Sequence, residues 1–174
     1  MKKSRKILLL VITLITIFMV MTITSFADSG SDDWSVGNYK GFEYEIYEEE
    51  ASIIYYTGSA TNLAIPSKIE GYPVDYIGQG AFQNCTSITS IILPSTITAI
   101  GHAAFEGCTN LKSITIPDSV TLIGVGAFEN TAYYNDENNW ENGALYIDNH
   151  LIDVNSNLPS DYSMKSDTIT IADS

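Results

Sequence analysis

Apolar residues recur with a period of 23 residues through the middle of the chain. Residues 77–99 read IGQGAFQNCTSITSIILPSTITA, residues 100–122 read IGHAAFEGCTNLKSITIPDSVTL, and a third copy begins at Ile123 with IGVGAFENT. A unit of this length cannot bury its apolar side chains alone, so consecutive copies must stack. The pattern therefore predicts a solenoid that is dominated by β-structure and has short helical turns.

Each copy contains one short strand in which apolar and polar residues alternate. In the second copy Ile114 and Ile116 should point into the core, while Ser113 and Thr115 should point outward, because successive side chains of a strand face opposite sides. Pro117 should end this strand, since proline cannot donate a hydrogen bond to a ladder.

The Ala–Phe pair of each copy is expected to form a tight turn or a short helical segment with the ring in the core. Coils stacked about 4.8 Å apart would bring three rings into one buried column: Phe82, Phe105 and Phe128. Ile123 is expected to lie in a second short extended segment on the other side of the coil. Gly124 is expected to allow the chain to turn the corner after this segment.

The N-terminal part of the chain differs from the repeats. Residues 28–41 are polar and acidic, which predicts a flexible lead-in. Residues 42–56 alternate apolar and polar side chains around a polar turn, which predicts a β-hairpin that caps the first coil. Residues 63–66 resemble the end of a repeat strand, so we interpret 42–76 as the cap and a divergent first repeat.

The segment 77–174 is interpreted as the repeat array, with an insertion at 131–161 that is rich in asparagine and aromatic residues. Two apolar segments flank 148–150 and predict a β-hairpin inside the insertion.

After the insertion the repeats are expected to resume. Residues 162–164 should return to the strand register, and Ile171 should take the inward position that Ile123 has in the third copy. The last repeat is then incomplete at Ser174, so a truncated C-terminus is expected.

The first 27 residues have the parts of a secretory signal peptide: a basic start, a long apolar run, and small residues at Ser25 and Ala27. Cleavage after Ala27 is expected, with an uncleaved membrane anchor as the alternative. Residues 28–174 then keep four lysines, no arginine and 21 acidic residues, a net charge of −17. This charge argues against nucleic acid and anionic membranes as partners, because both are bound through Lys and Arg.

The repeat reads Ile-Gly-x-x-Ala-Phe-x-x-Cys-x-x-Leu-x-x-Ile-x-Ile-Pro-x-x-Val, and the second copy holds it at Ile100, Gly101, Ala104, Phe105, Cys108, Leu111, Ile114, Ile116, Pro117 and Val120. This motif resembles the BspA-like leucine-rich-repeat family, which is also described from treponemal surface proteins. The resemblance covers about 63–174 and implies a leucine-rich-repeat solenoid of the α/β horseshoe class. It also implies a secreted or surface-displayed bacterial protein, since some relatives are adhesins.

The chain shows no pattern that is typical of catalysis, so we do not expect an enzyme. His102 and His150 are its only histidines, and neither has a cysteine or second histidine at metal-ligand spacing. His102 is predicted to face solvent and His150 to lie in a hairpin turn. No catalytic, cofactor-binding or metal-binding residue is therefore predicted, and no cofactor is expected.

Cys85 and Cys108 occupy the same repeat position and should be neighbours in adjacent coils. A disulfide is one interpretation. The other, which we favour, is a column of small buried side chains, because residues stacked in parallel point the wrong way for a bridge.

Two groups of residues are candidates for a binding face. The outward positions of the strand ladder are Ser90, Ile92, Ser113 and Thr115, and the aromatic residues of the insertion are Tyr133, Tyr134 and Trp140. Exposed aromatic rings would form a platform for a sugar or peptide. The alternative, which we favour, is that they pack the insertion onto the solenoid.

The sequence thus predicts a secreted or cell-surface module that binds an unidentified protein or glycan on host or bacterial surfaces. Two alternatives remain: a targeting module of a larger secreted enzyme, and a passive surface spacer.

Overall fold

The computed structural model describes residues 34–172, so the predicted signal peptide and residues 28–33 lie outside the described part. The described strands are β1 (Trp34–Tyr39), β2 (Phe42–Tyr47), β3 (Glu50–Tyr56), β4 (Asn62–Ala64), β5 (Lys68–Ile69), β6 (Tyr72–Ile77), β7 (Ser90–Ile92), β8 (Ala99–Ile100), β9 (Ser113–Thr115), β10 (Leu122–Ile123), β11 (Trp140–Glu141), β12 (Ala144–Ile147), β13 (His150–Val154) and β14 (Thr170–Ile171). The helical segments among these residues are α1 (Ala132–Asn135) and one 3-10 turn (Glu137–Asn139). No helix in the range 34–172 is long and apolar enough to cross a membrane.

Stacked coils form two parallel ladders, as a solenoid requires. Strands β4, β7 and β9 form one ladder, which we call the repeat sheet, in which Leu63, Ile91 and Ile114 are paired in register. Strands β6, β8 and β10 form the other ladder, where Ile77 and Ile100 are paired in register. The 23-residue period therefore sets the register, and the predicted β-dominated solenoid is confirmed.

The alternation of each strand is also confirmed. Ile114 and Ile116 are buried, while Ser113 and Thr115 are exposed. Strand β9 ends at Thr115, before Pro117.

The phenylalanine column lies at the centre of the core. Phe105 stacks on Phe82 with ring centroids 5.0 Å apart and on Phe128 with centroids 5.3 Å apart. All three rings are buried. The cap extends the column, because the Tyr56 ring lies 5.3 Å from Phe82 and contacts Phe42.

The N-terminal cap is joined to the array through backbone hydrogen bonds. Strands β2 and β3 form the predicted antiparallel hairpin, and β3 pairs in parallel with β6. The cap therefore covers the first coil with its own hydrogen-bonding edge.

The expectation of a flexible segment at 28–41 is wrong for Trp34–Tyr39, which forms strand β1 and pairs with β2 over its full length. Lys40 and Gly41 both have positive φ and make the tight turn between the two strands. The side chains of β1 are mostly exposed and Gly37 lies against the Tyr44 ring, so the pairing of β1 depends on the backbone more than on buried apolar side chains.

The glycine that follows each isoleucine is required because there is no room for a side chain. For Gly124 we had predicted a different reason, a backbone conformation at a corner of the coil. A Cβ atom on Gly101 would lie 2.7 Å from the Gln79 nitrogen, and one on Gly124 would lie 2.5 Å from the His102 nitrogen. Each coil therefore passes so close to its neighbour that a side chain at this position would meet the neighbour's backbone.

The insertion folds back on the last coil. Strands β12 and β13 form the predicted antiparallel hairpin around Asp148. The Asp148 carboxylate accepts a hydrogen bond of 2.8 Å from the Ile116 amide, which directly follows β9, and so connects the hairpin turn to the last repeat strand.

The repeats do not resume in the predicted register. Residues 162–164 form no strand, and β14 pairs with β13 of the hairpin. Thr170 is consequently buried, where its hydroxyl donates to the Val120 carbonyl, and Ile171 is 57% exposed. The hairpin thus displaces the chain from the position that Ile123 predicts for Ile171.

Candidate functional site

The outward side of the repeat sheet forms a continuous uncharged surface, which we call the outer face. Two rows of side chains are in register across its three strands, Asn62–Ser90–Ser113 and Ala64–Ile92–Thr115. The structure therefore brings together the four predicted strand residues. It adds Asn62 and Ala64. These two residues could have been identified from the sequence, because residues 63–66 resemble the ends of the repeat strands.

The outer face carries no charged side chain at these six strand positions. Asn62 Oδ1 accepts a hydrogen bond of 2.7 Å from the Ser90 hydroxyl and one of 3.3 Å from Thr89. Ile92 stands beside this polar row and is 56% exposed. The face can therefore offer hydroxyl and amide groups together with one apolar contact.

The aromatic residues of the insertion are held by contacts within the protein. The Tyr133 hydroxyl donates to the Tyr146 carbonyl at 2.9 Å, and the Trp140 indole N–H donates to the Tyr134 carbonyl at 2.8 Å. The Tyr134 and Trp140 rings meet edge to face at 5.3 Å, and Tyr146 is buried. Tyr133, Tyr134 and Trp140 are half-buried against the core, which supports the packing interpretation over an open platform.

Tyr134 also donates a hydrogen bond to the Asp153 carboxylate. Burial and this carboxylate raise the pKa of Tyr134 above its ordinary value, so the hydroxyl stays protonated and fixes α1 to β13.

Acidic residues of the insertion accept hydrogen bonds within turns. Asp136 Oδ1 accepts hydrogen bonds from the backbone and side-chain nitrogens of Asn138 at 3.0 and 2.7 Å. Within residues 34–172 there is no group of three or more His, Cys, Asp or Glu side chains that could hold a metal ion.

The two cysteines stack in adjacent coils as free thiols. Cys108 Sγ donates to the Phe82 carbonyl at 3.0 Å, while Cys85 is half-buried. Thr131 takes the equivalent buried position in the third coil, where its hydroxyl accepts from the Tyr134 amide and caps α1. The replacement of cysteine by Thr131 therefore provides the N-cap of the insertion helix α1.

We expect the native protein, prepared without reductant, to protect Cys108 from a thiol reagent at about pH 8, because burial raises the pKa of this thiol to about 12. Unfolding in urea should then make both thiols react. Counting the reacted thiols by absorbance checks this, and an unfolded chain with no reactive thiol would establish a disulfide instead.

His150 was predicted to lie in the hairpin turn and instead directly follows it, at a buried position. It is the first residue of β13, fully inaccessible to solvent, and neither ring nitrogen has a hydrogen-bond partner. Burial lowers the pKa of His150 below its usual value of 6.5, against the opposing effects of the Pro117 carbonyl and the Asp148 and Asp118 carboxylates. Folding therefore favours the neutral form of this imidazole relative to the unfolded chain.

We expect the free energy of unfolding to fall as the pH drops below about 6.5, where the unfolded chain binds a proton at His150 and the folded chain does not. The loss should stop once the pH is below the lowered pKa of the folded state. Urea titrations at about pH 7.5 and pH 5 measure this contribution, as the difference between wild type and His150→Leu at each pH.

His102→Gln is the matched control, because His102 is exposed and Gln79 stands at the equivalent position of the first copy. The same difference between wild type and His150→Leu at both pH values would contradict the assignment of a buried neutral histidine.

Comparisons with known proteins agree with this architecture. A family model described as the BspA type leucine rich repeat region matches residues 48–171 in six copies, which is more than half of the chain. Among curated protein sequences no match was found.

Two solved structures are similar to this chain. One is a leucine rich repeat protein of T. pallidum, with 34% identity and a TM-score of 0.52 over 55% of this chain and 46% of that one. The other is a leucine rich cell surface protein of Faecalibacterium prausnitzii, with 31% identity and a TM-score of 0.51 over 62% of this chain and 32% of that one. The match thus spans less than half the length of either protein.

Proposed function

We propose a function from the premise that this chain belongs to the BspA type leucine-rich-repeat family. The protein is a binding module without catalytic activity, secreted or displayed on a cell surface, and it adheres to proteins or glycans of host or bacterial surfaces. The outer face, centred on Ile92, is the binding surface.

The observation that carries this proposal is the composition of the outer face. Solvent-facing strand positions of an acidic chain would be expected to hold charges, yet the two rows contain small polar residues and the exposed Ile92. Interfaces are depleted of charge at their centre in the same way. The description of the Faecalibacterium relative as a cell surface protein supports the proposed location.

The test is binding of residues 28–174 to an array of glycans and a panel of immobilised matrix proteins. For a retained ligand, we expect Ile92→Glu to weaken binding about tenfold or more, since it buries a charge at the centre of the interface. Leu122→Glu is the matched control, because Leu122 is also an exposed apolar strand residue but lies in β10 of the other ladder.

Retention of no ligand by either panel would favour a passive spacer. Equal loss of binding in Ile92→Glu and Leu122→Glu would contradict the outer face as the binding surface.

A further inference from the structure

The outward side of the N-terminal cap forms a second surface, which we call the cap face. Its positions belong to strands β1, β2 and β3 and are in register across the sheet in three rows: Trp34–Tyr47–Glu50, Val36–Glu45–Ser52 and Asn38–Glu43–Tyr55. Phe42, Tyr44 and Ile46 alternate with these positions along β2 and are buried in the core. The cap face belongs to a different sheet from the outer face, so the two surfaces are separate.

The cap face exposes large apolar side chains on a strand surface that turns away from the core. Trp34, Val36, Tyr47 and Tyr55 are all exposed. Trp34 and Tyr47 are direct cross-strand neighbours, and Val36 follows Trp34 on the same side of β1. Adjoining exposed apolar groups on a folded protein are typical of a surface that a partner covers.

Carboxylates lie among these apolar side chains. Glu43 and Glu45 occupy the central strand of the face, and Glu50 lies next to Asp75 of β6. Burial and, after it, the charge of Glu50 raise the pKa of Asp75 above its ordinary value. Within residues 34–172 the ion pair is on the insertion, so the carboxylates of the cap face have no cationic partner among the described residues.

The insertion shows how a carboxylate and a tyrosine ring together hold a cation in this protein. Lys165 Nζ lies 3.4 Å from the Glu141 carboxylate and 4.4 Å from the centroid of the Tyr146 ring. Both groups attract the ammonium group, the ring through its negative face. On the cap face Glu43 is the cross-strand neighbour of Tyr55, so the same two groups are side by side there without a lysine.

We propose that the cap face binds an extended basic segment of a partner protein, with lysine or arginine side chains at alternate positions. Glu43 and Glu45 are two residues apart on β2, which places them about 7 Å apart along the strand, and alternate side chains of an extended segment have the same spacing. A third alternate position then lies over Tyr47 and Trp34, where an apolar side chain fits. Complementary charge directs such a segment to this surface.

A second copy of this chain cannot supply the basic segment. Residues 28–174 contain four lysines and no arginine, and no two of these lysines are two residues apart. Two copies that packed through their cap faces would bring like charges together, which opposes association. An anionic membrane is repelled by the same carboxylates.

The test is an NMR titration of the ¹⁵N-labelled full chain with the peptide acetyl-Lys-Ser-Lys-Ser-Leu-amide. We expect a saturable shift of the Trp34 indole N–H, because the leucine should lie over this ring. The other tryptophan, Trp140, donates its indole N–H to the Tyr134 carbonyl on the insertion and should not shift.

The peptide acetyl-Lys-Lys-Ser-Ser-Leu-amide is the control for spacing. It has the same composition and charge, but adjacent side chains of an extended segment point to opposite sides, so only one lysine can face the sheet. It should bind about two- to fivefold more weakly, the size of one exposed charge interaction.

Glu45→Gln should weaken binding of the first peptide by a similar factor. Glu137→Gln removes the same charge from an exposed position of the insertion and should leave the affinity unchanged. The proposal is overturned if the Trp34 indole shows no saturable shift, if the two peptides bind equally well, or if Glu137→Gln weakens binding as much as Glu45→Gln. A dimer without peptide, in which the Trp34 indole shifts with protein concentration, would assign the face to a second copy and would also overturn it.

Discussion

Replacing Phe105 with alanine should lower the free energy of unfolding by about 3–5 kcal/mol. Phe105 is fully buried and lies between Phe82 and Phe128 in the aromatic column. Truncation removes two stacked contacts at once and leaves a cavity that neighbours on both sides cannot fill, because their coils are fixed by backbone hydrogen bonds. Urea titration followed by circular dichroism measures the loss.

Leu122→Ala is the control for this substitution. Leu122 is a large apolar residue of a neighbouring coil but is 51% exposed, so its truncation should cost well under half as much as that of Phe105. Equal midpoints for wild type and Phe105→Ala would contradict the buried column.

The second large effect is expected for Gly101→Ala, at about 3 kcal/mol, the upper end of the cost of overpacking. The added Cβ would lie 2.7 Å from the Gln79 nitrogen and 2.9 Å from the Gly78 carbonyl carbon. Both atoms belong to the backbone of the adjacent coil, so no side chain can rotate away. Thermal and urea unfolding of the variant measure the effect.

Gly80→Ala separates crowding from backbone conformation. Gly80 has a φ of +62°, and the nearest atom to an added Cβ is 3.7 Å away, so this variant is strained but not crowded. It should cost only about 1 kcal/mol. Ala103 occupies the equivalent position in the second copy with a φ of 53°, so this conformation is tolerated there. Equal costs for Gly80→Ala and Gly101→Ala would show that space is not what the repeated glycine provides.

The repeat itself made most of the fold predictable. Its period places equivalent residues on top of one another, so the burial of Phe105 and the exposure of Thr115 follow from the pattern without further information. The same logic identified four residues of the outer face, because an outward position in one coil is outward in the next.

Predictions failed where a segment depends on contacts that do not repeat. Strand β1 is fixed by pairing with β2, although its own side chains are mostly exposed. Ile171 was misplaced because β14 pairs with the insertion hairpin and not with the array, and the burial of His150 was missed because it depends on the same hairpin. The role of Gly101 could not be inferred from one sequence. Glycine is required both where two backbones approach closely and where a turn needs its conformation, and the sequence does not distinguish the two cases.

The parallel ladders also determine how the molecule should respond to mechanical force. The hydrogen bonds that join one coil to the next run along the axis of the array, so tension between the ends acts on all interfaces in series and the weakest one opens first. A coil that opens would release its 23 residues, about 80 Å of extended chain. Under a steady pull the array should therefore lengthen in regular steps. Each step would absorb work and so reduce the load on the contacts at the two ends of the array.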